Sequence, residues 1–254
     1  MIAPENPPGF VVRTEAQKAA WDNGYRLERE AKDGWLRYAS TTAPGSIWIG
    51  GGSPQGPWLL SIEHSGVLVE IGILAASPAP GPGIATFALS TLAQLHAALD
   101  RIYKLAVSLP EAPLQRFRAA TATLPRTTEA ERLVIMRIGQ DVFRDALMDY
   151  WGGRCPLTGI TEPALLRASH IVPWSDCTDE QRLDVHNGLL LSALWDAAFD
   201  KGLVSFNDDG TLRVSRSLSE SARQALSVDT VPRISGLRHA HHTNLARHRA
   251  RHGF

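Results

Sequence analysis

Cysteine is nearly absent from this chain: 254 residues contain two, Cys155 and Cys177, and no Cys-x-x-Cys pair. That stock cannot build a disulfide framework or a four-cysteine zinc site within one chain, and it suits a reducing cytoplasm. Net charge is absent too, since 26 Lys and Arg offset 26 Asp and Glu. Affinity for an anionic partner must therefore come from a local patch rather than from the field of the whole molecule. No apolar run approaches the roughly 20 residues of a spanning helix, and the stretch from Met1 to Pro8 lacks the basic region and apolar core of an export signal. A cytoplasmic chain with no membrane partner is expected. Hydrophobic residues make up 44% of the total, enough for one large core or two ordinary ones, and two domains are expected.

The first half reads as an α+β module over residues 1–125. Thr14 is placed to cap a helix running to about Asn23, and period-two alternation predicts strands over Trp35–Tyr38, Ser46–Ile49 and Val67–Ile71. Gly50-Gly51-Gly52 and the Pro54–Pro57 stretch read as turns, and a Pro-Ala-Pro-Gly-Pro run near residue 80 reads as a loop. Ser90 to Leu109 carries apolar residues at helical spacing. Trp35, Trp48 and Trp58 suit either an aromatic pocket for a base or the core of a small sheet, and the core reading is preferred. The triple glycine lacks the lysine of a phosphate loop.

From Thr127 the pattern changes. Thr127-Thr128-Glu129-Ala130-Glu131 opens a long amphipathic helix with Leu133, Ile135, Met136, Val142, Phe143, Leu147 and Tyr150 on its apolar positions, stopped by Gly152-Gly153. This helix is expected to join the N-terminal module to a second domain over 126–254. The segment from Arg233 to Phe254 has five arginines, five histidines and no acidic residue, and reads as either a phosphate-binding arm or a solvated terminus.

Chemistry concentrates between these two stretches. Ser169-His170-Ile171-Val172-Pro173-Trp174 places a histidine in an apolar strand pattern ahead of a turn, and a neutral imidazole with an ordinary pKa near 6.5 can serve as a general base. Asn187-Gly188 follows, a dipeptide that by itself marks a tight turn. Asp196 and Asp200 then lie four residues apart, on one face of a predicted short helix, close enough to share an ion.

These segments, with Arg137–Arg144, Tyr150–Gly159 and Gly202–Phe206, resemble the HNH endonucleases of the ββα-metal superfamily, in the bacterial branch related to restriction enzymes. The resemblance covers roughly residues 127–225. It implies a C-terminal ββα-metal nuclease domain that cleaves DNA with a divalent metal, with strands near 165–172 and 186–191. His170 matches the general base and Asn187 the middle asparagine that supports it. Asp196 and Asp200 match the acidic positions of the last helix and are the implied metal ligands, with His186 as a further candidate. Arg167, Lys201, Arg238, Arg247, Arg249 and Arg251 are the candidates for contacting DNA, and Cys155 is expected to pack in the core.

Two departures from the family pattern stand out. Trp195 occupies the position where this branch usually has a metal-binding histidine, and an indole offers a metal no lone pair. Ser169, before the base, is a poor ligand where many relatives have Asp or His. Hard oxygen donors favour Mg²⁺ or Mn²⁺, with Zn²⁺ as the lesser option. Three readings follow: an endonuclease of bacterial defence whose N-terminal module selects target or modified DNA, a catalytically decayed scaffold that binds DNA, and a nuclease switched on by a ligand of the N-terminal module. A homodimer is what a double-strand break would call for.

Overall fold

The computed structural model describes residues 3–71, 80–230 and 233–254. Helices and strands are mixed, as expected of an α+β chain, and the chain divides into two compact units, Met1–Ala112 and Pro113–Phe254.

In the first unit, helix α1 (Phe10–Asp22) precedes an antiparallel sheet of five strands in sequential order, β1 (Leu27–Lys32), β2 (Trp35–Ala39), β3 (Ser46–Gly51), β4 (Trp58–Ile62) and β5 (Ala85–Leu89). Helix α2 (Ser65–Ile71) falls between β4 and β5, and α3 (Leu92–Ser108) follows with Thr91 accepting the Gln94 amide at its N-terminus. Helices α1 and α3 pack on the sheet. Every residue of β4 is buried, the pattern of a strand covered on both faces. Trp35, Trp48 and Leu59 form a buried cluster, so these tryptophans fill the core.

Three expectations fail here. Val67–Ile71 is helix α2 rather than a strand: it packs against α3, and that tertiary contact overrides the β preference of its alternating branched residues. Helix α1 starts a turn before Thr14, whose Oγ1 donates to the Phe10 carbonyl inside the helix at 3.0 Å; burial of Val12, Ala16, Ala19 and Ala20 fixes its extent. Gly50 and Gly51 belong to β3, not to a turn. A Cβ at Gly50 would come within 2.7 Å of Pro4 Cβ, so glycine is needed for the N-terminal segment to lie along the strand, where the Glu5 amide donates to Gly51. Pro80 to Gly83 is irregular, as read; Pro78 and Ala79 lie outside the described residues.

The second unit takes in most of α4 (Glu111–Thr121) and all of α5 (Glu129–Tyr150). Thr128 and Glu131 form a reciprocal capping box at the start of α5, and Gly152 and Gly153, both at positive φ, turn the chain after its end. The buried residues of α5 are Gly139, Phe143, Ala146, Leu147 and Tyr150, from its middle to its C-terminal end. Next come β6 (Leu166–His170), the short helix α6 (Asp179–Arg182), β7 (Gly188–Ser192) and α7 (Ala193–Asp200). Strands β6 and β7 pair antiparallel, from Leu166 opposite Ser192 to His170 opposite Gly188. A second hairpin, β8 (Val204–Phe206) and β9 (Leu212–Val214), is followed by α8 (Glu220–Leu226) and α9 (His239–His252). The basic C-terminal stretch is thus a packed helix, with His241, Leu245 and His248 buried. Among the described residues no helix is long and apolar enough to cross a membrane.

Candidate active site

His170 ends β6. Its ring stacks on Phe143 of α5 at 3.8 Å between centroids, and the edge of Trp174 closes a second side. Nε2 lies 2.9 Å from the Arg182 carbonyl oxygen. A carbonyl can only accept, so Nε2 carries the proton and Nδ1 keeps the lone pair. No side chain or backbone group among the described residues bonds Nδ1. Burial pushes the His170 pKa down to about 4, against the opposing effect of the Arg182 carbonyl. The imidazole is therefore neutral and held in one tautomer.

The carbonyl that orients it is held in turn. Arg182 donates through Nε to the Trp174 carbonyl and through Nη1 to Asp179, with its guanidinium over the Trp174 ring at 5.1 Å. Asn187, 1% exposed, is the clamp of the loop between the strands. Its Oδ1 accepts the Val172 amide at 2.9 Å, while Nδ2 donates to the Gln181 carbonyl at 3.1 Å and to the Val172 carbonyl at 3.3 Å. Gln181 immediately precedes Arg182, so Asn187 and His170 grip adjacent carbonyls. Gly188 sits at φ −150, ordinary strand geometry, so Asn187-Gly188 is not a hairpin turn here. A Cβ on Gly188 would approach Phe143 Cζ to 2.5 Å and Leu147 Cδ1 to 2.8 Å; glycine lets α5 close onto the hairpin.

Asp196 is half-buried on α7. Burial raises its carboxyl pKa, a hydrogen bond with Ser169 opposes this, and the Asp200 carboxylate one turn on raises it further. Asp200 is exposed and pairs with Lys201 at 2.7 Å. Trp195, 2% exposed, lines an apolar cleft with Leu157, Ile160 and Leu226. No hydrogen bond or ion pair among the described residues joins His170 to either aspartate.

His186 is not gathered with Asp196 and Asp200. Its Nδ1 meets Asp184 Oδ1 at 2.8 Å and its ring packs edge-on against Tyr150 and His241. Among the described residues no group of three His, Cys, Asp or Glu could hold a metal ion. Asp196 and Asp200 offer carboxylate oxygens of the kind a hard cation takes when it keeps several waters, with the Ser169 hydroxyl hydrogen-bonded to Asp196.

Several predicted DNA-contacting residues are engaged within the fold. Arg249 donates to the Phe206 carbonyl and to Asp208, Arg251 pairs with Asp176, and Arg167 bonds the Ala164 and Leu166 carbonyls. Arg238 lies at the N-terminus of α9 and Arg247 is exposed beside Asp176. Sequence reasoning missed Arg182 and Phe143, whose bearing on His170 depends on loop closure; Arg144, which donates to the Leu166 and Pro163 carbonyls, was visible only as part of a motif. Cys155 is buried, as read.

An antiparallel hairpin is followed directly by a short helix, with a histidine closing its first strand and carboxylates on the helix, the hairpin-helix order that the HNH resemblance implied. Residues 155–207 match the family model described as HNH endonuclease, which supports an HNH nuclease domain in this part of the chain. No curated protein was found to match the chain.

Proposed function

We propose that this protein is a divalent-metal-dependent DNA endonuclease with His170 as its general base. The observation that carries the reading is the His170 ring: the Arg182 carbonyl holds the proton on Nε2, so Nδ1 is left to take a proton from the attacking water. A pKa near 4 makes a weak base in the free protein. A bound phosphodiester brings negative charge beside the ring and raises it toward the working pH.

Asn187 acts as a positioning residue, because it fixes the Gln181 carbonyl next to the one that His170 uses. Asp196, hydrogen-bonded to the Ser169 hydroxyl, and Asp200 would hold Mg²⁺ or Mn²⁺ through their carboxylates. Such an ion, when bound, neutralises charge on the scissile phosphate and the leaving oxygen. In-line attack puts the water and the leaving group on opposite sides of the phosphorus, so the base and the carboxylates need not touch. Residues 1–112, outside the matched segment, are the part left to select the DNA, in the manner of restriction-type proteins of bacterial defence.

The test is plasmid cleavage with Mg²⁺, Mn²⁺, Zn²⁺ or EDTA, on modified and unmodified DNA, beside His170→Ala. Nicking or linearisation supported by Mg²⁺ or Mn²⁺ and lost in a folded His170→Ala variant is expected; wild-type cleavage by that variant removes His170 as the base. DNA binding without cleavage in any metal would make the chain a decayed scaffold.

A further inference from the structure

Beyond α7 lies a polar cleft of about 480 Å³ lined by Arg213, Val214, Ser215, Arg216, His252, Gly253 and Phe254. No Asp or Glu lines it. Neither guanidinium makes a hydrogen bond or ion pair with any of the described residues, whereas Arg249 and Arg251 are both committed to carboxylates. Arg213 lies over the Phe254 ring at 5.8 Å, which fixes its stem and leaves its donors for a ligand. Two unneutralised arginines in a concave polar site make an anion receptor, and a planar guanidinium is suited to bidentate phosphate contact.

Its place in the fold ties it to the hairpin-helix unit. The Ser215 amide donates to the Leu203 carbonyl at 2.9 Å, anchoring the cleft to the turn that follows α7. On the other wall, His252 closes over Gly202, where an added Cβ would come within 2.1 Å of its Nδ1. From Asp196 to the end of α7 is four residues, roughly 6 Å at helical rise, and Gly202 follows two residues on, at most about 8 Å further. That corresponds to no more than about four steps of roughly 3.4 Å along one DNA strand.

We propose that this cleft binds a backbone phosphate of the DNA a few nucleotides from the scissile bond, through Arg213 and Arg216. The proposal rests on the nuclease reading for its ligand, though not for its geometry. Such a contact is indifferent to base sequence and releases counterions, so it contributes affinity that falls with salt.

The test uses the full chain in a His170→Ala background, so that a labelled 20-base-pair duplex stays intact, and follows anisotropy from low to high salt. Relative to that parent, Arg213→Gln/Arg216→Gln should weaken binding at least about tenfold and flatten the log Kd against log salt slope by roughly one, for the one phosphate released. Arg216→Gln alone, at an exposed side chain, should weaken binding less than the double variant, and Arg216→Lys should restore it. Unchanged affinity and slope in a folded double variant overturn the proposal. With His170 intact, turnover of bis(p-nitrophenyl) phosphate, too small to span both sites, should be the same in the double variant as in wild type, while plasmid cleavage falls through KM. If wild type cleaves but the double variant binds duplex as tightly, the nuclease stands and the cleft falls. If nothing is cleaved but binding still depends on both arginines, the cleft stands and the nuclease reading falls.

Discussion

At the scale of single residues, Asn187 holds the loop between β6 and β7 together from inside. It satisfies the two buried backbone groups of Val172 and the part-buried Gln181 carbonyl in the loop between β6 and β7. Asn187→Ala would orphan them, and buried unsatisfied groups cost ~1–3 kcal/mol each before relaxation, so a loss of about 2–4 kcal/mol is expected in denaturant unfolding. The Arg182 carbonyl would then lose its support, and a misplaced base should lower kcat by about 10²-fold while KM changes little. A KM effect of the same size would make Asn187 a binding residue instead. This role was only partly legible in the sequence: the asparagine and its spacing from His170 are visible, but Gln181 and Arg182 carry no signal because the loop uses their carbonyls and not their side chains.

At the scale of elements, the hairpin and α5 form one unit through Gly188. Its missing Cβ lets Phe143 and Leu147 reach β7, and Phe143 in turn stacks on His170. Gly188→Ala forces both side chains back, an overpacking expected to cost about 1–3 kcal/mol. It should also loosen the lid on the imidazole, so His170 titrates at a higher pH in NMR than in wild type; a variant of equal stability and unaltered titration would show that Phe143 does not depend on this contact. The hydrophobic period and the caps of α5 could be read in advance, because both are local. Strand β1, by contrast, with Glu28, Arg29, Glu30 and Lys32, looks nothing like a buried strand, being an edge whose charges face water. Helix α2 was misread for the opposite reason, since its β-branched residues alternate while its packing against α3 makes it a helix.

At the scale of the whole molecule, buried histidines set the pH response. Burial lowers both His170 and His248 to about 4; the His248 ring stacks on Phe199 at 3.9 Å and bonds Ser205 and the Phe199 carbonyl. In the unfolded chain each titrates near 6.5, so between about pH 6.5 and 4 the unfolded state binds more protons than the folded one. Stability is thus fully present above about 6.5 and declines as pH falls through that window. Thermal melting from pH 7.5 to 4.5 should show a falling Tm, less steep in His248→Gln; a flat profile would place these rings in contact with solvent.

The sequence by itself determined the HNH resemblance, through a histidine, an asparagine and two carboxylates in order, and the family model over residues 155–207 supports it. It also determined the capped helix α5, because periodicity and caps are properties of neighbouring residues. Only the tertiary structure decided which groups meet. It put His186 with Asp184 rather than with the helix carboxylates, turned Trp195 into an apolar cleft, and committed Arg249 and Arg251 to acids far away in the chain. Each of those outcomes depends on contacts between residues distant in sequence, where burial and hydrogen-bond satisfaction choose the partner.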